Sequence, residues 1–548
     1  MDTNNVHIQV DGRIITAARG ISLMEAMVSA GLLLRSDCGG RGRCGKCLVR
    51  AVPAAADALS AATAPELKSL GEERLPQGYR LACCARLLGD VAVEIPAQSL
   101  LAPEVVQKGP PVLLSKLEGL PPRPPEQRPS SYGIAVDIGT TTIAVYLCDL
   151  SARSVMASTS VRNPQAIFGD DVISRISAVR TDPGFLPRLQ TMAVNAIDWA
   201  ASAMCVRSRL DPAAVGEIVA VGNSTMIHLL LGEDPSSIGV FPYTPRFFED
   251  RRLTAGRIGL SFNPGACLRT LPLISGYLGA DILSAAIAAD LSNTSVGTLL
   301  VDVGTNGEII CLTGRGLAAT SCATGPAFEG AAIQHGMQAT SGAVDSVRFS
   351  RDTRCLEYTV IQADSGRPRP PAGICGSGVI TAVAELLRAG VISASGSFNA
   401  DCGSPCLRPG ENGVLEFEIV PAGTTGSRNP ITLTQADVRA VQLAKGALRT
   451  GIDLLCRENG LSRPGKILLA GAFGSFINRI DALRLGMFPQ MKEEEIEVVG
   501  NAAGAGAVLA LLQEDRFTQA RQMAQATRVL DLAAHPDFQN TFISSLSF

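Results

Sequence analysis

Apolar and polar residues alternate over Val6–Val10, and with the short β-like run Arg13–Thr16 they predict two short strands. Over Ser22–Ala30 the apolar positions fall on a helical period. Ser22 stands just before the first of them and Glu25 three residues later, the spacing of a capping box, so a helix is predicted to start there. Val91–Ile95 alternates once more and predicts a strand. From Tyr132 onward the pattern changes. Short apolar runs that end in glycine turns alternate with helical stretches. Gly133–Val136, Thr298–Val301 and Ile467–Leu469 predict strands, and Ile274–Asp290 and Gln435–Leu455 predict helices. That alternation predicts an α/β architecture.

The pattern divides the chain. Residues 1–97 form one expected domain. Residues 98–130 are dense in proline (Pro110, Pro111, Pro121, Pro122, Pro124, Pro125) and predict a semi-rigid linker. Residues 131–548 form a second domain with a long-range echo: AVDIGTTT at 135–142 returns as LVDVGTNG at 300–307. Two strand–Asp–apolar–Gly–Thr turns one domain-length apart predict a duplicated fold of two facing lobes, about 131–297 and 298–548.

Composition narrows the classes. A chain of 548 residues is too long for one core. Hydrophobic residues make up 46%, yet the longer runs, such as Ile227–Leu231 and Ile467–Ala470, fall far short of a membrane span. The N-terminus carries no basic start, apolar core and small-residue cleavage site, so a cytoplasmic protein is expected. A net charge of −3 argues against nucleic acid or an anionic membrane as partner. The four His (His7, His228, His335, His535) are too scattered for a His-based metal site. Fifteen Cys without a secretory signal read as thiols and metal ligands rather than disulfides.

Three of those cysteines, Cys38, Cys44 and Cys47, lie in CGGRGRCGKC, and the pair Cys83–Cys84 follows further on. Four thiolates in a three-plus-one pattern suit a [2Fe–2S] cluster. The glycines between them let the backbone turn and aim N–H groups at sulfur, while Arg41, Arg43 and Lys46 add positive charge. Zinc sites usually pair two short Cys knuckles, and only one is present. The five-residue first gap resembles the adrenodoxin branch of ferredoxins. RLACCAR resembles the ferredoxin ending RLACQ, which puts Cys83 at the fourth ligand position and Cys84 in place of Gln. The other ten Cys, including Cys355, Cys402 and Cys406, are expected to be ordinary thiols; a Cys402–Cys406 pairing has only a four-residue offset in its favour.

The two Asp–Gly–Thr turns have the chemistry of phosphate loops. Backbone N–H groups of Gly139, Thr140 and Thr141 are expected to hold phosphate oxygens, with Asp137 facing the water shell of Mg²⁺. Asp302, Gly304, Thr305, Asn306 and Glu308 supply a matching set. One such turn alone is weak evidence; two, each after an apolar strand, are stronger. GxxxxGK[ST] is absent, and so is a GxGxxG at a strand–helix junction, which argues against P-loop and dinucleotide folds. LAGAFGSF, with Gly471, Ala472 and Gly474, and GICGSG, with Gly376 and Gly378, are candidates for contact with base and ribose. Each reads equally well as a plain strand–helix turn.

These loops resemble the superfamily of acetate and sugar kinases, heat-shock chaperone ATPases and actin. The whole chain resembles the reductive activators of corrinoid-dependent proteins. The match is carried by NPQAIFGDDVISRI (163–176), GNSTMIHLLLG (222–232), PYTP (242–245), DVGTNGEI (302–309), ATGPAFEGA (323–331), GICGSG (373–378), LTQADVRAVQLAKGA (433–447) and GNAAGAGA (500–507). The resemblance implies a β-grasp, ferredoxin-like α+β domain followed by a two-lobed α/β actin-like (ribonuclease H-like, duplicated) ATPase. It also implies a [2Fe–2S] cluster, ATP and Mg²⁺ as cofactors, and a Co(II) corrinoid protein as client. An upstream electron donor and a homodimer belong to the same expectation. Asp137 and Asp302 would organise Mg²⁺ and water, and Glu308 would act as a base. The chain departs from the family at Asp170, where alanine is expected, and has no room for a further small domain after the linker. The competing readings are a small-molecule kinase, or a chaperone-like ATP-binding module, gated by a redox-sensing cluster domain, and an ATP-dependent activator of a radical dehydratase.

Overall fold

A computed structural model describes residues 5–548 apart from 37, 39, 43, 53–56, 101–130, 331, 363–368, 411–412, 426–428 and 475. The expected linker at 98–130 therefore lies outside the described residues except for its first three. The chain divides into two compact units, one holding the described residues up to Thr270 and the other those from Leu271 to Phe548.

The first unit opens with a five-stranded sheet of β1 (Asn5–Val10), β2 (Arg13–Ala18), β3 (Leu48–Ala51), β4 (Tyr79–Leu81) and β5 (Val91–Glu94), ordered β2-β1-β5-β3-β4. The β1–β2 hairpin is antiparallel, and β5 joins β1 in parallel. Alternation puts Val6, Ile8 and Val10 on the covered face. Helix α1 (Leu23–Ser29) lies against this sheet and buries Leu23, Met24, Met27 and Val28, each such side chain worth roughly 2 kcal/mol of transfer free energy. Ser22 caps it by accepting from the Glu25 N–H at 3.1 Å. The Glu25 carboxylate, which the pattern assigned to the other half of a capping box, accepts instead from Arg188. Helix α2 (Ala64–Arg74) starts with a capping box of its own, Thr63 with Glu66.

The same unit continues with β6 (Tyr132–Ile138), β7 (Thr142–Asp149) and β8 (Ser154–Arg162), then α3 (Val172–Thr181) and α4 (Phe185–Arg207). After these come β9 (Val215–Gly222), α5 (Ser224–Leu231), β10 (Arg252–Thr254) and β11 (Cys267–Thr270). The strand order is β10-β11-β9-β6-β7-β8. The run Ile227–Leu231 is thus a helix face. Helix α4 joins the two parts of this unit: Asn195 Nδ2 donates to the carbonyls of Val28 and Ser29 at 3.0 Å each, and Arg188 holds Glu25.

The second unit begins with α6 (Ala280–Ala288), shorter than the predicted Ile274–Asp290. Before Gly279 the chain is folded into a turn in which the N–H groups of Ile274 and Ser275 both reach the Leu278 carbonyl at 3.0 Å, so the helix cannot start earlier. Strands β12 (Thr298–Val303), β13 (Gly307–Thr313) and β14 (Gly316–Cys322) follow. Two three-stranded sheets come next: β15 (Ala343–Phe349), β16 (Leu356–Val360) and β17 (Gly373–Ile374), then β18 (Leu407–Pro409), β19 (Leu415–Val420) and β20 (Ile431–Thr434). Helix α7 (Gly376–Arg388) stands between them in sequence, and α8 (Gln435–Glu458) follows them. Strands β21 (Lys466–Ala470), β22 (Ile496–Gly500) and β23 (Arg528–Val529) complete the main sheet in the order β22-β21-β12-β13-β14-β23.

The two large sheets repeat one topology. β6, β7 and β8 form an antiparallel meander with β9 parallel to β6. β12, β13 and β14 do the same with β21 parallel to β12. The sequence echo is therefore an echo of fold.

Candidate functional site

Cys38 and Cys47 are buried, while Cys44, Cys83 and Cys84 are partly exposed. The loop leads into β3, and Cys83 and Cys84 follow β4, which is paired to β3; that pairing brings distant cysteines together. The Cys47 and Cys83 sulfurs stand 3.4 Å apart, and those of Cys83 and Cys84 3.7 Å apart. Hydrogen bonding to Cys47 and Cys84 pushes the Cys83 thiol up. The same bonds pull Cys47 below the ordinary thiol value and Cys84 down to about 7. The donor set is thiol throughout, as an iron–sulfur cluster requires. Among the described residues, no three His, Cys, Asp or Glu side chains already converge as a metal site. Behind the cysteines, Glu66 is fully buried and takes the Arg80 guanidinium in two bonds, at 2.8 and 3.1 Å, and the Leu81 N–H at 3.1 Å. That pair anchors the strand leading to Cys83, and pattern reading missed it.

The first Asp–Gly–Thr turn, Gly139–Thr141, joins β6 to β7. A Cβ on Gly139 would sit 2.7 Å from the Thr142 carbonyl, which explains the glycine. The Gly139 N–H, offered to phosphate by the sequence reading, closes the turn on that carbonyl at 3.0 Å. All three carbonyls of the turn are held from one side. Asn163 Nδ2 donates to Gly139 O at 3.0 Å, Arg175 Nη2 to Thr140 O at 2.6 Å, and the Asn163 N–H to Thr141 O at 2.8 Å. Across a trans peptide the next N–H points opposite to the carbonyl, so these bonds turn the Thr140 and Thr141 N–H groups away from Asn163 and Arg175. Asn223 Nδ2 holds the Thr140 hydroxyl at 3.0 Å. Asp137 is 7% exposed near the end of β6. Arg175 and Asn163, fully buried, lie in a motif that signalled only family membership; their role needed the fold.

In the second unit, Asp302 on β12 and Glu308 on β13 are register partners, which places both carboxylates on one face of the hairpin. Gly304 closes its turn on the Asn306 carbonyl at 3.2 Å. Thr324 Oγ1 reaches the carbonyls of Gly304 and Thr305, at 2.9 and 3.0 Å, and the Thr305 hydroxyl donates to Glu329 at 3.1 Å. Glu329 was not singled out from the sequence. Gly471, which begins the turn after β21, packs against Asp302 so closely that a Cβ would overlap Oδ1. The structure thus brings Gly471 to the start of the Asp302 turn, while a Cβ on Gly474 would face Leu469. Gly376 and Gly378 lie in the first turn of α7, where a Cβ on Gly378 would collide with the Val344 carbonyl of β15. Helix–strand packing accounts for Gly378 without a nucleotide.

One expectation about thiols is corrected: Cys355 and Cys406 form a disulfide with their Cα atoms 5.7 Å apart, and Cys402 remains free. The loop after β15 and the start of β18 are adjacent in space, a proximity that 51 residues of separation conceal in the sequence.

Fold and loops together define a class: a ferredoxin-type [2Fe–2S] domain attached to an ATPase of the acetate and sugar kinase, heat-shock and actin type. Comparison with known families agrees. A model described as the 2Fe-2S iron-sulfur cluster binding domain matches residues 6–88, one described as the RACo middle region matches 132–294, and one for the C-terminal domain of RACo, the ASKHA domain, matches 297–548. The chain is 34% identical over 431 residues to the corrinoid activation enzyme RamQ of Eubacterium limosum, covering 77% of this chain and 71% of that protein. It is 24% identical over 447 residues to a [Co(II) methylated amine-specific corrinoid protein] reductase of Methanosarcina barkeri, covering 76% and 77%. A solved structure titled reductive activator for corrinoid,iron-sulfur protein superposes with a TM-score of 0.69 at 28% identity, over 99% of this chain and 98% of that one. The chain belongs to the RACo family of corrinoid activators.

Proposed function

We propose that this protein is an ATP-dependent reductive activator that returns the Co(II) corrinoid of a methyltransferase corrinoid protein to Co(I). The observation that carries the reading is the presence, in one chain, of a ferredoxin-type domain, the RACo middle region and the RACo ASKHA domain. Cys38, Cys44, Cys47 and Cys83 would hold the [2Fe–2S] cluster; the approach of Cys83 to Cys47 supports it as fourth ligand over Cys84. Held there, the cluster supplies single electrons, and reduction of Co(II) to Co(I) consumes one.

The rest is work for the protein's own residues. Thr140 and Thr141 N–H groups, set by Asn163 and Arg175, are oriented to receive phosphate oxygens. Gly304, Thr305 and Asn306 form the second phosphate turn, braced by Thr324 and Glu329. Asp137 and Asp302 would orient the water shell of Mg²⁺, and Glu308, across from Asp302, would orient or deprotonate the attacking water. Gly471, Ala472 and Gly474 would border the nucleotide beside Asp302, with Gly376 and Gly378 further candidates. Nucleotide binding can favour an uphill electron transfer only if the nucleotide states differ in affinity for the client's conformations. Loss of an axial cobalt ligand in the docked complex is the step it would favour.

The domain limits 1–97, 98–130 and 131–548 belong to the same proposal, as do an upstream electron donor, a homodimer and a cytoplasmic location. Among the described residues, no helix is long and apolar enough to cross a membrane. The decisive experiment mixes reduced, cluster-loaded protein with a Co(II) corrinoid protein, with and without MgATP, and follows the cobalt absorption. Co(I) is expected to accumulate with MgATP and far less without it. An unchanged spectrum, with both cluster and nucleotide bound, would overturn the reading.

A further inference from the structure

Asp170 lies between the cysteine loop and the Gly139–Thr141 turn. On one side, Arg41 donates from Nε to the Cys38 carbonyl at 2.8 Å and pairs through Nη1 with Asp170 at 3.2 Å. The loop also packs here: a Cβ on Gly40 would sit 3.0 Å from the Ile167 side chain. On the other side, Arg175 Nε holds the carbonyl of Gly169, the residue before Asp170, at 3.0 Å. The same guanidinium grips Thr140 O at 2.6 Å and Gln165 Oε1 at 3.0 Å. Arg162, which closes β8 opposite Thr142, pairs with the second oxygen of Asp170 at 3.5 Å. The path therefore runs from the Cys38 carbonyl through Arg41 to the Asp170 side chain, along the backbone to the Gly169 carbonyl, and through Arg175 to the Thr140 carbonyl. The Arg41 and Asp170 side chains are 32% and 23% exposed, so neither is solvated freely.

We propose that Asp170 is a positioning residue that ties the cluster loop to the Gly139–Thr141 turn, so that nucleotide binding and the redox state of a cluster held at Cys38 influence each other. The proposal rests on the functional reading above. Its logic is electrostatic and geometric. One electron added to the cluster adds negative charge near Arg41, strengthening its hold on the loop and weakening the tolerance for Asp170. A phosphate bound at the Thr140 N–H acts on the peptide that Arg175 holds. Linkage makes any coupling reciprocal: if reduction changes nucleotide affinity by some factor, nucleotide binding changes the reduction equilibrium by the same factor.

The experiment titrates the cluster potential of the reconstituted full chain with and without MgATP, and measures MgATP affinity of the oxidised and reduced forms. We expect at least a threefold affinity difference in the wild-type protein, equivalent to about 28 mV at 59 mV per tenfold for one electron. Asp170→Ala should keep its cluster absorbance, bind MgATP and lose the difference; Asp170→Glu should restore it. If Asp170→Ala cannot hold a cluster, Asp170→Asn, which removes charge and keeps shape, carries the same expectation. A potential indifferent to bound MgATP in the wild-type protein overturns the proposal, and so does a shift that survives in Asp170→Ala or Asp170→Asn. Failure to bind MgATP at all would instead sink the phosphate-loop reading on which it stands.

Discussion

Gly471 leaves room for Asp302 and for nothing more: a Cβ on Gly471 would overlap the Asp302 carboxylate, and its φ of +90° disfavours any side chain. Gly471→Ala should therefore displace Asp302 and strain the turn by about 1–2 kcal/mol. We expect ATP hydrolysis to fall while the cluster spectrum stays intact. Unchanged steady-state ATPase would show that this contact does not position the carboxylate for catalysis.

Asp137→Asn and Asp302→Asn keep the shape of each side chain and remove the charge that would orient Mg²⁺ and water. Each should lower ATP turnover by about 10²-fold, the loss typical of one electrostatic group at a reaction centre. Chelating divalent cations should stop hydrolysis in the wild-type protein and leave the visible spectrum unaltered. Turnover that persists in a chelator would contradict the assigned roles.

Cys83→Ser should lose the visible absorption after anaerobic reconstitution, and Cys84→Ser should retain it, because the Cys83 sulfur is the one beside Cys47. The opposite pattern would make Cys84 the ligand.

The Glu66–Arg80 pair supplies a pH dependence. Burial alone would raise the Glu66 pKa, but the Arg80, Thr63 and Leu81 hydrogen bonds outweigh it and hold the carboxyl below its ordinary range. A depressed carboxyl pKa stabilises the fold above the unfolded value of about 4.3. That contribution is lost as pH falls through the folded value. Glu66→Ala leaves Arg80 buried without its partner and should cost about 3–5 kcal/mol at neutral pH. The difference in thermal unfolding between wild-type and variant proteins should start to shrink as pH falls below the unfolded value of about 4.3 and keep shrinking toward the depressed folded value. A gap that stays constant from pH 7 to 3 would refute the ionic account.

The Cys355–Cys406 bridge ties together positions 51 residues apart. Cys406→Ser, compared with wild-type protein without reductant, should lose about 2–4 kcal/mol of stability. With reductant present the two should unfold alike. Equal stability in both buffers would mean that the bridge does not form in solution.

The local parts of the site were legible along the chain because each is written in neighbouring residues. The Cys38–Cys44–Cys47 spacing, the turn after Asp137 and its echo after Asp302 need only a few residues to state their geometry. Glycine turns were harder. Gly471 and Gly378 read alike in sequence, yet one faces a carboxylate and the other a strand carbonyl. The boundary of α6 was missed because the Ser275–Leu278 turn uses residues that fit a helical period equally well.

Chain chemistry alone determined which groups are available: thiols in a glycine-rich loop, two acid–glycine–hydroxyl hairpins, and the periods that make strands and helices. Tertiary structure decided which of them meet. Arg41 with Asp170, Glu329 with Thr305 and Cys355 with Cys406 are separated by 129, 24 and 51 residues, and no periodicity links them. Such contacts arise from sheet pairing and packing, which place distant segments side by side for reasons spread across the whole core rather than carried by either partner.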